Sequence, residues 1–174
     1  MKTLVIVEHD NNSIKGGTFN TVTAASKLSG EITLLIAGSA IDSVISEAQS
    51  IDGISNILKC DNEIYSNFIA EDLSALIASN KGEFTHILAP STTFGKNLMP
   101  RVSAKLDTQQ ISDIIAVESD DTFKRPIYAG SCIATVKSND DVKVITVRST
   151  AFDAVSTGNS CLLYTSPSPR DRIA

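Results

Sequence analysis

Residues 83–106, EFTHILAPSTTFGKNLMPRVSAKL, hold the plainest strand–turn–helix unit of the chain. The run Phe84–Ala89 is too short and too rich in β-formers for a helix, so it reads as a strand. Pro90 breaks it into a turn of small residues, Ser91-Thr92-Thr93-Phe94-Gly95-Lys96. Leu98, Val102 and Leu106 then recur every four residues, the buried stripe of a helix. Pro100 predicts a bend or an irregular first turn, because it removes one donor and crowds a preceding carbonyl. In an open α/β sheet such a turn lies on the side where ligands and partners gather.

Upstream the same unit repeats. Thr3–Val7 is almost wholly β-branched or Leu, the pattern of a parallel strand covered on both faces. A polar loop, Asn11–Gly17, follows it and reads as flexible. Phe19, Val22 and Ala25 give the first helix, closing at Gly30. Ile32–Ala37 is a second buried strand. Ser39 is the expected N-cap of the next helix, whose apolar face is Ile41, Val44, Ile45 and Ala48. Ile54–Leu58 is a third strand. Ser66–Asn80 is a third helix with Ile69, Leu73, Leu76 and Ile77 inward.

Four strand–helix pairs in a row predict an α/β fold, a doubly wound and mostly parallel sheet with right-handed crossovers. The expected strand order is Rossmann-like, 3-2-1-4-5, with Ile111–Glu118 as the fifth strand. Pro126–Gly130, Ile133–Lys137 and Val142–Arg148 are closely spaced, joined at Gly130-Ser131 and Asn139-Asp140. They read as extra antiparallel strands at the sheet edge.

A chain of 174 residues suits one domain with a substantial core. Hydrophobic content of 42% and charged content of 20% are ordinary for a globular protein. A net charge of −5 and a pI near 4.9 argue against a nucleic-acid or anionic-membrane surface. No apolar run is long enough to span a bilayer. Cys60, Cys132 and Cys161 include no C-x-x-C pair, which disfavours a disulfide scaffold or a zinc site. The first strand starts at Lys2 with no signal or transit segment ahead of it, so a cytoplasmic, bacterial protein is expected.

The turn Ser91, Thr92, Thr93, Gly95, Lys96 is the best ligand-facing candidate, since its hydroxyls, amides and lysine suit a phosphate. It is not a P-loop, and Asn11–Gly17 lacks a G-x-G-x-x-G fingerprint. Partner docking and plain helix capping are the competing readings of the turn. His9 and His86 fall at different heights on adjacent strands, too far apart to share a metal or a proton, and read as structural. No catalytic triad or metal set is visible.

RPIYAGSCIATV at 125–136 and VITVRSTAF at 144–152 resemble the α subunit of electron transfer flavoproteins. LVIVEHD, TFNTVTAA, APSTTFGKNLMPRVSAKLD and ISDIIAVES agree with it in order. Ser131-Cys132 departs from the family's usual Asn followed by a small residue. The resemblance implies an adenine nucleotide alpha hydrolase-like fold for residues 1–153. It implies a heterodimer with a β subunit that carries electrons from acyl-CoA and other dehydrogenases, as in fatty acid β-oxidation, to a membrane quinone oxidoreductase. The FAD of the intact protein is implied to sit mainly in a second domain, with no cofactor, no catalytic residue and no metal in residues 1–153. The family's β subunit binds AMP near the equivalent of the Ser91–Lys96 turn; the α subunit is not expected to. This domain would be a scaffold and β-subunit interface, with Arg125, Tyr128 and Arg148 as interface residues. Residues 154–174 read as a linker stub and a non-native tail, because CLLYTSPSPRDRIA has no periodicity and two Ser-Pro steps. The rival reading is a free-standing nucleotide-binding domain of the universal stress protein or adenine-nucleotide α-hydrolase type. A pure interaction module is a third.

Overall fold

A computed structural model describes residues 1–158 and, for the backbone alone, 162–165. The strands are β1 (Lys2–Ile6), β2 (Glu31–Gly38), β3 (Asn56–Asp61), β4 (His86–Pro90) and β5 (Gln110–Ile114). They alternate with the helices α1 (Gly17–Ser26), α2 (Asp42–Ala48), α3 (Ala70–Ser79) and α4 (Thr93–Leu106). Beyond them come β6 (Ala116–Val117), β7 (Thr122–Ile127), β8 (Cys132–Lys137), β9 (Lys143–Val147) and β10 (Leu162–Thr165). The main sheet runs β10-β3-β2-β1-β4-β9-β5 with every pair parallel, and β6-β7-β8 form a separate antiparallel sheet. The doubly wound α/β fold with added antiparallel strands is therefore present.

Alternation along each strand divides the core in two. Val5, Val7, Leu34 and Ile36 face the α1–α2 side, whereas Leu4, Ile6, Leu35 and Ala37 face α3 and α4. Burial on both faces is what a β-branched or Leu-rich run provides.

The expected order 3-2-1-4-5 is corrected by β9, which inserts between β4 and β5 and runs parallel to both. Val144, Ile145 and Val147 are completely buried and Thr146 almost so, which suits a central slot. β5, with an irregular register between Ile111 and Ile114, takes the edge instead. The excursion through β6–β8 replaces the usual crossover helix. Asn139-Asp140 therefore joins two sheets rather than closing a hairpin. The expected strand 111–118 is likewise two short strands, one in each sheet.

Other local expectations shift for identifiable reasons. α2 begins at Asp42, not after a Ser39 cap, because the Asp61 carboxylate takes the amides of Ala40 and Ile41. α3 begins at Ala70, after a 3-10 turn at Glu63–Tyr65, and Ile69 is 47% exposed rather than inward. α4 runs through Pro100 as one helix, with Thr92 as its N-cap, so the irregular first turn does not occur. Pro100 lies on the exposed side of that helix.

After β9 the chain crosses back over the α1–α2 layer. Phe152 is 7% exposed, and its carbonyl accepts from Asn20 at 2.6 Å. Val155 N–H donates to Phe19, Asp52 N–H to Ser156 and Gly158 N–H to Ser50. Ile51 and Thr157 form an antiparallel bridge. The boundary expected at residue 153 falls within this strap. β10 then pairs with β3 within the segment whose composition set it apart from the fold. Residues 159–161 and 166–174 of that segment lie outside the described residues.

Candidate functional site

Carboxyl-terminal strand ends gather the loops in which open α/β sheets place their ligands, with the crevice at the point where chain direction across the sheet reverses. Here that point lies between β1 and β4. Side chains of the protein itself close it. Thr92 donates its hydroxyl to the Glu8 carboxylate at 2.8 Å, joining the two loops directly. A Cβ on Gly17 would meet Ser149 Oγ at 3.0 Å and Pro90 Cβ at 3.1 Å, so α1 starts in contact with the ends of β4 and β9.

The loop after β1 is tied rather than free. Asp10 accepts the amides of Asn12 and Ser13, and Asn11 reaches both Ser66 and Ser39. His9 is buried beneath it. Its Nε2 meets the Ala37 carbonyl at 2.8 Å, its Nδ1 accepts from Asn11 N–H at 3.0 Å, and its ring stands edge-on to Phe68. Burial lowers its pKa against the pull of the Ala37 carbonyl. His86, at the other end of the sheet, binds the Asp120 carbonyl at 2.6 Å and the Thr85 hydroxyl at 2.8 Å, and burial lowers its pKa too. Both histidines thus hold loops in place, at opposite ends of the sheet.

An open recess of about 310 Å³ remains one strand along, at the ends of β4, β9 and β5. It is lined by Ser91, Lys96, Asp113, Arg148, Ser149 and Thr150. Arg148 donates from Nε to Asp113 Oδ2 at 3.0 Å and from Nη2 to the same oxygen at 2.5 Å, and this carboxylate raises its pKa. Asp113 sits at the irregularity in β5 with φ +60, and its amide donates to the Thr146 hydroxyl at 2.8 Å. Ser91 Oγ is buried with no hydrogen-bond partner among the described residues.

Of the candidate turn residues, only Ser91 and Lys96 line this recess. Thr92 caps α4, accepting from Gly95 N–H at 3.4 Å. Gly95 packs against β4, where a Cβ would come within 1.8 Å of the Pro90 carbonyl oxygen. Thr93 is exposed. Arg148 is brought to the turn. Arg125 is held nearby, donating from Nε to the Ser112 carbonyl at 2.8 Å. Tyr128, 79% exposed, stands apart at the β7–β8 hairpin tip, where Tyr128, Ala129 and Gly130 all take positive φ. Asp113, Ser149, Thr150 and Glu8 escaped the sequence reading. For Asp113 a signal existed, since Ser112-Asp113 interrupts the apolar run ISDII.

A larger recess of about 830 Å³ lies at the opposite end, around His86, Asp120, Asp121 and Lys143. Its aspartates serve turns: Asp120 accepts from Ser29 N–H, and Asp121 from the hydroxyls of Ser119 and Thr122. Among the described residues no group of three or more His, Cys, Asp or Glu could hold a metal ion. Among them, too, no helix is long and apolar enough to cross a membrane.

A family model described as "Electron transfer flavoprotein domain" matches residues 3–165. The electron transfer flavoprotein subunit alpha of Pseudomonas aeruginosa is 48% identical over 98% of this chain and 56% of its own length. The mitochondrial alpha subunit of Dictyostelium discoideum is 46% identical over 88% of this chain and 46% of its own length. That of Paracoccus denitrificans is 40% identical over 92% and 52% respectively. The chain spans about half the length of the curated relatives it matches.

Proposed function

This chain belongs to the electron transfer flavoprotein domain family, and on that premise we propose that it is the N-terminal domain of an α subunit that supplies a platform and a β-subunit interface. The observation that carries the reading is the match to alpha subunits along nearly the whole chain, confined to about half of each relative. In this proposal the intact protein is a cytoplasmic heterodimer. It takes electrons from acyl-CoA and other dehydrogenases, as in fatty acid β-oxidation, and passes them to a membrane quinone oxidoreductase.

FAD is implied for the intact protein by the family. In this proposal it sits mainly in a second domain, outside these residues. A hollow among the described residues, walled by residues such as Leu35, Phe68, Ile77 and Phe94, measures about 10 Å³. That is room for about one water, whereas ligand pockets run to hundreds of Å³ with mostly apolar walls. No electron-transfer step is therefore assigned to a side chain of these residues.

Arg125, Tyr128 and Arg148 are the proposed interface residues. Exposure of Tyr128, with Ile133 53% exposed on the same hairpin, supports this, because aromatic residues and arginine are enriched at interfaces and among their hot spots. The nucleotide-binding alternative is not favoured, since the crevice it would use is bridged by Glu8 and Thr92.

The test is co-expression with the β subunit encoded in the same genome. The two chains are expected to copurify, with Arg148→Ala lowering the yield of the heterodimer. The chain alone is expected to be colourless. A flavin spectrum that stays with the isolated chain would overturn the reading.

A further inference from the structure

We propose that the recess at the ends of β4, β9 and β5 is a docking point for a carboxylate side chain of the partner subunit. Lys96 and the edge of Arg148 left open by Asp113 hold that carboxylate. The proposal rests on the interface reading above and names the chemistry of one contact within it.

The arginine is already oriented. Asp113 engages Nε and Nη2, while Nη1 makes no hydrogen bond among the described residues. Asp113 is itself fixed by the bond from its amide to the Thr146 hydroxyl and takes positive φ at the irregularity of β5. A guanidinium held this way presents its remaining donors without a further loss of side-chain freedom. Planar carboxylates match those donors better than a spherical anion does.

Charge points the same way. Lys96 is exposed and has no carboxylate partner among the described residues, in contrast to Lys2, Lys15, Lys59, Lys124 and Lys137. Lys96 and Arg148 against Asp113 leave one positive charge in excess at the recess, on a chain of net charge −5. Ser149 and Thr150 add hydroxyls to the lining, and the buried Ser91 Oγ is a donor with no hydrogen-bond partner among the described residues.

The lining also separates a protein side chain from a nucleotide. Small-molecule sites are mostly apolar with a few polar groups. Here all six lining residues are polar or charged, with no aromatic or aliphatic side chain among them. Arg125, on β7, is tied to the strand that carries Asp113, since it binds the Ser112 carbonyl.

Binding of the co-expressed β subunit to the wild-type chain, Lys96→Glu and Lys27→Glu tests this. Lys96→Glu is expected to weaken the dissociation constant roughly tenfold or more, as a like-charge contact would. The deficit should shrink as salt is raised, and the melting temperature of the chain alone should not change. Lys27→Glu, at the C-terminal end of α1 and so at the opposite end of the sheet, is expected to bind as wild type. A Lys96→Glu constant within about twofold of wild type would overturn the inference. So would equal weakening by both variants, which marks a general charge effect. AMP or inorganic phosphate that binds the wild-type chain, fails to bind Lys96→Glu and leaves the affinity for the partner unchanged would overturn it as well, marking a small-anion site. A wild-type chain that binds no β subunit at all would remove the interface reading itself.

Discussion

The Thr92 hydroxyl does two jobs at once: it donates to the Glu8 carboxylate at 2.8 Å and accepts the Gly95 N–H at 3.4 Å. One oxygen thus caps α4 and ties the first loop of the sheet to the fourth. Thr92→Ala removes both bonds. The expected cost is about 1–2 kcal/mol, the usual range for a lost N-cap, seen as a fall in melting temperature of about 2–6 °C. Thr92→Ser should recover most of it. A Thr92→Ala melt equal to wild type would show that neither bond contributes.

Gly95 and Gly16 make a matched pair. A methyl on Gly95 would come within 1.8 Å of a backbone oxygen, while one on Gly16 would meet nothing within 4 Å. Gly95→Ala is expected to lower stability by about 3 kcal/mol or more, since backbone must move. Gly16→Ala should stay within about 1 kcal/mol of wild type. Urea unfolding of the two variants side by side makes the comparison.

Acid should weaken the fold through its two histidines. Burial lowers the pKa of both below the ordinary value near 6.5, so on acidification the unfolded chain takes up protons first. Stability from this source is therefore complete above about pH 6.5 and declines below it, until the folded-state pKa values are reached. His9 carries the sharper penalty. Its Nδ1 accepts from Asn11 N–H, and a proton there sets two donors face to face. His86 is more tolerant, because the Thr85 hydroxyl can turn from donor to acceptor. Titration of the two ring protons by NMR should give midpoints below 6.5 for both. A midpoint above that value for either would contradict its buried, neutral assignment.

Pro100 sits inside α4 yet on its exposed side, where the Lys96 carbonyl lacks its regular donor. Pro100→Ala restores that donor. A gain of about 1–3 kcal/mol is expected, less the unfolded-chain stiffness that proline contributes. Lower stability in the alanine variant would show that the ring makes a contact worth more than the missing bond.

Periodicity made the local pieces legible. β1, β2 and β4, and the inward faces Val44–Ile45–Ala48 and Leu98–Val102, follow from spacing alone, since each is set within one element. What spacing cannot supply is adjacency. Lys143–Val147 has the apolar pattern of a central strand, but its closeness in sequence to β7 and β8 suggested a hairpin partner. Its slot depends on β4 and β5, tens of residues away. The cap of α2 shows the same gap, since Asp61 arrives from the end of β3 to do what Ser39 was placed to do. At the recess, Ser91, Lys96 and Arg148 were each named from sequence, but their meeting was not. Asp113, which orients Arg148, depends on an irregular strand that no periodic pattern predicts.

The strap over α1 and α2 gives this domain a mechanical fuse. Phe152, Val155, Ser156 and Gly158 are fastened one after another along its path, so tension from the carboxyl side would loosen them in sequence rather than together. Each residue released adds about 3.3–3.6 Å of slack. The inserted Phe152 ring is the last grip before strain reaches β9. A tethered neighbour that had first peeled β10 from β3 could therefore swing outward, reeling chain off the helices, while β3, β2, β1, β4, β9 and β5 stayed paired.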